Sequence, residues 1–278
     1  MAKICIAGCG DLGSGVASLL LSDGHQVTGI RRTGTSFPNG VSGITGELRT
    51  LPAALLPEAD LVFLIMTPSE RSEQGYRSAY YETAQAIVER YQNAPQEPII
   101  VFVSSTSVYD QQYELITEQT QAQTNSPTAS VLLATEALLA EHFSSVAVRC
   151  SGIYGPGRYA LLKKVQSEQS WGDNSWTNRV HRDDVVSALY KIAQLALDQQ
   201  ALPEHIIVTD QTPVSMWEVK LWLASLLGAK VKIDANDGFM PKSGKRIQAD
   251  YLLQQGWQPV YPSYVAGYRE LVKAYLQT

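Results

Sequence analysis

The chain has 278 residues, 45% of them apolar, and a formal net charge of −5. That is ample apolar surface for one large domain or two small ones. The acidic balance argues against a nucleic-acid or polyanion partner and leaves small molecules as the expected ones.

The longest apolar runs, 61–66 and 99–103, fall far short of the roughly 20 residues of a membrane helix. The chain enters Lys3-Ile4-Cys5-Ile6-Ala7 without a leader, so a soluble, cytoplasmic protein is expected. Cys5, Cys9 and Cys150 are too scattered for a disulfide framework. With no histidine nearby in sequence, Cys5 and Cys9 are not expected to hold a metal.

Through the first half, short apolar runs alternate with amphipathic stretches, the pattern of a parallel sheet covered by helices. In chain order the expected elements begin with a strand at 4–7, a helix at 11–22 ending before Gly24, and strands at 26–30, 43–46 and 61–66. A helix at 76–91, a strand at 99–104, a helix at 131–142 and a strand at 145–149 follow. Right-handed crossovers make this an α/β fold with a doubly wound parallel Rossmann sheet. After Arg149, glycine, proline, tryptophan and tyrosine become frequent and the rhythm weakens, which reads as a smaller C-terminal substrate lobe. Within it, 183–197 and 217–227 read as helices, the latter closed by Gly228, and 206–208 as a short strand. The expected division is a dinucleotide-binding domain over 1–153, with a return segment near 178–210, and a substrate lobe over 154–278.

The first strand ends in Gly8-Cys9-Gly10-Asp11-Leu12-Gly13 and opens a helix. At this spacing the first glycine permits a tight turn, the second lets a pyrophosphate approach the backbone, and the third lets helix pack on strand. The helix start, with Asp11 and Leu12 in its first turn, supplies N–H groups and a partial positive charge for the phosphates. An NAD-selective site places an acid at the end of the second strand to accept from the ribose hydroxyls. Here Val27-Thr28-Gly29-Ile30-Arg31-Arg32-Thr33 holds none. Arg31 and Arg32 instead offer planar cations for a 2′-phosphate, which favours NADP over NAD.

Further segments are Val103-Ser104-Ser105-Thr106-Ser107-Val108-Tyr109, Arg149-Cys150-Ser151-Gly152-Ile153-Tyr154-Gly155-Pro156-Gly157-Arg158 and Asn178-Arg179-Val180-His181-Arg182-Asp183-Asp184. They resemble the SSxxVYG, RxxxIYGPGR and HxxD segments of the extended short-chain dehydrogenases, the NAD-dependent epimerase/dehydratase superfamily. Residues 252–267 resemble the end of its atypical, YeeZ-like branch. In that superfamily a serine or threonine, a tyrosine and a lysine four residues beyond it form the catalytic set. The lysine and cofactor lower the tyrosine pKa so that it moves a proton while hydride passes at the nicotinamide.

The resemblance assigns Ser105 to the serine and, with Glu136 as anchor, puts Thr128 and Leu132 at the tyrosine and lysine positions. Residues 125–141 contain neither tyrosine nor lysine. Tyr109 and Tyr154 lie in segments that resemble site-lining loops and are the replacement acids the resemblance offers, Tyr109 beside Ser105; Tyr154, Arg158 and Arg179 are the substrate-binding candidates. Glu47 matches an acid that approaches adenine. Thr67 and Pro68 stand where small alanines flank the ribose. His181 reads as orienting the chain and the following helix cap.

The implied activity is that of an NADP-dependent oxidoreductase or epimerase/dehydratase-like enzyme acting on a small polar substrate, with a sugar nucleotide the first guess. The alternative is a catalytically silent NADP(H)-sensing binding protein.

Overall fold

The computed structural model describes residues 1–34, 36–167, 169–233 and 239–277. From the amino end run β1 (Lys3–Ala7), α1 (Asp11–Ser22), β2 (Gln26–Arg31), β3 (Ser42–Thr45), β4 (Leu61–Leu64), α2 (Glu73–Tyr76), a π-helical turn (Arg77–Tyr81), α3 (Glu82–Tyr91) and β5 (Ile99–Ser105). Next come β6 (Leu115–Ile116), α4 (Pro127–His142), β7 (Ser145–Cys150), β8 (Gly152–Tyr154), α5 (Ala160–Gln166), β9 (Trp176–Thr177), β10 (Arg179–His181) and α6 (Arg182–Leu197). The chain closes with β11 (His205–Val208), β12 (Val214–Ser215), α7 (Met216–Leu227), β13 (Arg246–Ile247), α8 (Tyr251–Gln254) and α9 (Tyr264–Tyr275).

The uninterrupted apolar runs became strands covered on both faces. All four residues of β4 are buried, as are four of the five in β1, as a helix-covered parallel sheet requires. The seven-stranded sheet has the order β11-β7-β5-β4-β1-β2-β3, with β1 pairing in parallel with both β2 and β4. The strand order therefore reverses between β1 and β4, and a doubly wound sheet opens its ligand crevice at such a point, outside the carboxyl ends of the strands.

Element bounds differ from the sequence expectation mainly at helix starts. The helix expected from Tyr76 begins at Glu73, because the Ser72 hydroxyl accepts the Gly75 N–H at 3.0 Å and caps it. The helix expected from Val131 begins at Pro127, which needs no N–H donor in a first turn. The predicted glycine stops hold: Gly24 has φ +79, and Gly228 caps α7 in the left-handed region at φ +62.

The structure divides into two compact units. The first comprises Met1–Val108, Thr124–Arg149 and Val186–Ile206, and the second Tyr109–Gln123, Cys150–Val185 and Ile207–Thr278. The excursion 109–123 thus packs with the second unit, because β6 pairs with β13, while the bridge between Tyr109 and Gln123 closes the excursion on itself. That pairing partner lies far along the chain, out of reach of local periodicity. The second unit has its own core, built from Tyr154, Leu162, Trp171, Trp217, Leu223, Tyr268 and Leu271 among others.

Candidate functional site

The first unit carries a cleft of about 250 Å³ at the carboxyl end of its sheet. It is lined by Gly8 and Gly10 after β1, Ile30 to Thr33 at the end of β2, Gly46 to Arg49 after β3, and Ile65 to Thr67 with Ser69 after β4. Gly75, Ser78 and Ala79 from α2 and the π-helical turn complete the wall.

Each glycine of the turn has a distinct reason. Gly8 sits at φ +98, and a Cβ there would lie 1.9 Å from the Ile65 carbonyl oxygen. A Cβ on Gly13 would meet the Gly8 carbonyl oxygen at 2.5 Å and Ile6 at 3.0 Å, so the third glycine is what lets α1 lie on β1. Around Gly10 nothing stands within 4 Å of a built Cβ. The turn is held by Gly8 and Cys9 N–H groups donating to the Ile30 carbonyl, at 3.0 and 2.8 Å. Gly10 then opens α1 with no side-chain cap. An uncapped helix start facing open space suits an anionic ligand, so these residues fit a dinucleotide pyrophosphate. Leu12 of the same turn is 7% exposed and packs inward, and Asp11 lies on the exposed side.

The expected cofactor residues Arg31, Arg32, Glu47 and Thr67 all line this cleft. Glu47 accepts from Arg49 Nε at 3.3 Å, and Arg49 Nη1 reaches Glu82 at 2.8 Å and Ser78 at 3.3 Å. The sequence reading missed Arg49, Ser78 and Gly75. The only local signal for the latter two was the Ser72 cap, which announces a helix start early enough to bring the π-helical turn to the wall. π-Helical turns are frequent at functional sites.

At the end of β5, Ser105 is half-buried and its hydroxyl oxygen accepts the Ser107 N–H at 3.1 Å. Ser104 donates to Glu136 at 2.6 Å, and Glu136 pairs with Arg149 at 2.6 Å. Glu136 therefore ties α4 to β5 and β7. On α4, Leu132 is 1% exposed and Thr128 shares a 3.0 Å hydrogen bond with Ser126. Neither a tyrosine nor a lysine stands anywhere on that helix.

The second unit holds the remaining candidates, and the structure buries most of them. Tyr109 has no accessible surface, and Lys245 Nζ donates to its carbonyl. Tyr154 stacks on Tyr268 with centroids 4.3 Å apart, and burial raises its hydroxyl pKa, so the phenol keeps its proton. Arg179 donates to the Tyr268 hydroxyl at 3.0 Å in the same interior. Tyr154 is thus a packing residue of the second core, Arg179 is hydrogen-bonded to a member of it, and Tyr109 is buried. Their residue types suggested chemistry because exposure is invisible in sequence. Arg158, by contrast, is exposed. His181 is 3% exposed, its pKa is lowered by burial, and its Nδ1 accepts the Asp183 N–H at 3.2 Å, a helix-start role. Cys5 and Cys150 are buried, which pushes both thiols up to about 12 and leaves them protonated.

Asp210, 3% exposed, belongs to no motif that residue type or spacing marks. Its Oδ1 accepts the Thr212 N–H at 3.1 Å, and burial raises its pKa to about 7. The unfolded chain titrates near ~3.9, so the folded state holds an extra proton between these values. This group's stabilisation is complete below pH ~4 and declines as pH rises towards ~7. Asp210→Asn is expected to lack that decline. Comparing thermal unfolding of parent and variant at about pH 5 and 8, the variant should gain on the order of 2 kcal/mol relative to the parent at the higher pH. A pH-independent difference would mean that Asp210 ionises normally.

Residues 4–207 match the family model "NAD dependent epimerase/dehydratase family". The chain belongs to this family. It is 29% identical over 206 residues to Protein YeeZ of Escherichia coli (strain K12), covering 70% of this chain and 74% of that one. A solved protein from Methylobacillus flagellatus, described as a "putative NAD-dependent epimerase/dehydratase", is 32% identical, with a TM-score of 0.83 over 100% of this chain and 99% of the other. UDP-glucuronic acid 4-epimerase from Bacillus cereus, solved with UDP-glucuronic acid and NAD, has a TM-score of 0.79 at 18% identity, over 99% of each chain. At that identity the likeness speaks for the epimerase/dehydratase fold alone. Among the described residues no helix is long and apolar enough to cross a membrane.

Proposed function

We propose that this epimerase/dehydratase-family protein is a cytoplasmic, NADP-dependent oxidoreductase or epimerase-like enzyme that acts on a small polar substrate of the sugar-nucleotide class. One observation carries the cofactor half. Arg32 lines the cleft, is exposed, and has no hydrogen-bond or ionic partner among the described residues, while 27–33 contains no acid to hold a ribose diol. A free guanidinium at the end of β2 suits a 2′-phosphate. When bound, the nicotinamide supplies hydride transfer. Gly8, Gly10 and the uncapped start of α1 hold the pyrophosphate, with Glu47 and Thr67 flanking the adenosine. Ser105, at the end of β5, is the hydroxyl that meets substrate. The substrate class rests on relatives whose own descriptions name UDP-sugars.

A second reading is favoured by α4. With Thr128 and Leu132 in place of a proton-transferring pair, a protein that binds NADP(H) and reports on it without turnover also fits. Titration with NADPH and NADH, followed by incubation of the loaded protein with a panel of nucleotide sugars while nicotinamide absorbance is followed, separates the two. NADPH is expected to bind at least about tenfold tighter, a difference of ~1.4 kcal/mol. Turnover of any panel member supports the enzyme, and tight binding without turnover across the panel supports the sensor. Tighter binding of NADH would overturn the NADP assignment.

A further inference from the structure

Arg31 and Arg32 are neighbours in sequence with different surroundings. Arg31 Nη1 donates to the Ser36 carbonyl, and its guanidinium lies 5.5 Å from the centroid of the Phe37 ring. The Phe37 ring in turn occupies the space over Gly43, where a Cβ would meet Phe37 Cδ2 at 2.3 Å. Gly43 stands in register with Gly29 on β2, and a Cβ on Gly29 would strike Cys9 Sγ at 2.8 Å. Two glycines side by side thus make room for two tethers, Cys9 of the glycine turn and Phe37 of the loop. The Thr45 hydroxyl donates to the Gly34 carbonyl at 3.1 Å, and the Gly46 N–H to the Arg31 carbonyl at 3.0 Å.

We infer that Arg31 is a positioning residue that moors the β2–β3 connection across the cleft rim, leaving Arg32 as the residue that reads the 2′-phosphate. The inference rests on the proposed NADP reading for its second half only. Its physical basis is that a guanidinium already bonded to a carbonyl and stacked on an aromatic ring must give up both contacts to turn to a ligand. Arg32 has nothing to give up among the described residues. Thr33, which lines the cleft beside Arg32, belongs to the same connection, so a mooring present before ligand arrives lowers the cost of ordering on binding.

The test combines a ligand-free and a ligand-bound measurement on the full chain. Hydrogen exchange of residues 36–41 is measured without nucleotide in the parent, Arg31→Ala, Arg31→Lys and Arg32→Ala. Affinities for adenosine 2′,5′-bisphosphate and adenosine 5′-monophosphate are then measured by calorimetry. Arg31→Ala should speed exchange about tenfold or more, and Arg31→Lys, which keeps a donor and a cation over Phe37, should restore most of the protection. Arg32→Ala should leave exchange unchanged and bring the ratio of the two affinities to about one, while Arg31→Ala retains the parent ratio within about twofold. Unchanged exchange in Arg31→Ala, or a ratio that collapses there and survives in Arg32→Ala, overturns the inference. Faster exchange in Arg31→Ala, with neither nucleotide bound by the parent, keeps the mooring and removes the NADP reading alone.

Discussion

Gly8→Ala is expected to destabilise the ligand-free protein severely, while Gly10→Ala, two residues away in the same motif, costs about 1 kcal/mol or less, the loss of a glycine N-cap. Gly8 sits at φ +98, and its Cβ would fall 1.9 Å from the Ile65 carbonyl oxygen. That oxygen belongs to backbone fixed by the Ile65 N–H bond to Ala7 at 2.8 Å, so relief requires β1 and β4 to part. Left-handed strain and the clash together should cost about 3 kcal/mol or more, lowering the thermal midpoint by ~10 °C in a chain of this size. Gly13→Ala should behave similarly, because its Cβ meets the Gly8 carbonyl oxygen at 2.5 Å. At Gly10 nothing stands within 4 Å, so a methyl group fits the free protein and takes only space in which a pyrophosphate would lie. Calorimetry of the three free variants, then NADPH titration of Gly10→Ala, checks both halves. A Gly8→Ala protein melting with the parent would mean that β4 does not impose this turn. Unchanged NADPH affinity in Gly10→Ala would move the pyrophosphate elsewhere.

The second large effect is expected at the Glu136–Arg149 pair. Its nitrogen and oxygen lie 2.6 Å apart with side chains 11% and 7% exposed. Arg149 Nε adds a 3.2 Å bond and the Ser104 hydroxyl one of 2.6 Å to Glu136 Oε1. The carboxylate is thus hydrogen-bonded from two strands at once. Replacing one partner leaves a desolvated charge facing its former site, which costs about 3–5 kcal/mol, whereas replacing both with apolar residues of similar volume is often close to neutral. Glu136→Leu is therefore expected to lower the urea midpoint sharply, and Glu136→Leu with Arg149→Met to recover most of the loss. The double-mutant cycle should give a coupling energy of about 2 kcal/mol or more. Additive losses would show that the two residues act independently.

How far the sequence reached depends on the range of the interaction concerned. Gly8, Gly10, Arg31, Arg32, Glu47 and Thr67 are cofactor residues that type and spacing predict, and all six line one cleft. They follow the carboxyl ends of successive parallel strands, and in such a sheet those ends share one edge. Residue type and motif point equally to Tyr109 and Tyr154, yet both are buried. Tyr154 is covered by Tyr268, a residue far along the chain that no local pattern links to it. Arg49 belongs to no motif, and its partners Ser78 and Glu82 lie on the π-helical turn and α3, beyond the whole of β4.

By itself, therefore, the sequence determined the doubly wound sheet, the glycine turn, the absence of an acid after β2 and the absence of a tyrosine–lysine pair on α4. These properties follow from residue type and short-range spacing. Only the tertiary structure decided which of two adjacent arginines has no partner among the described residues and which tyrosines have any surface. It also decided which of the three motif glycines is demanded by a neighbouring strand and which by open space. Burial and pairing are set by residues distant in the chain, and the same side chain is a ligand group on a cleft rim and a packing element in a core.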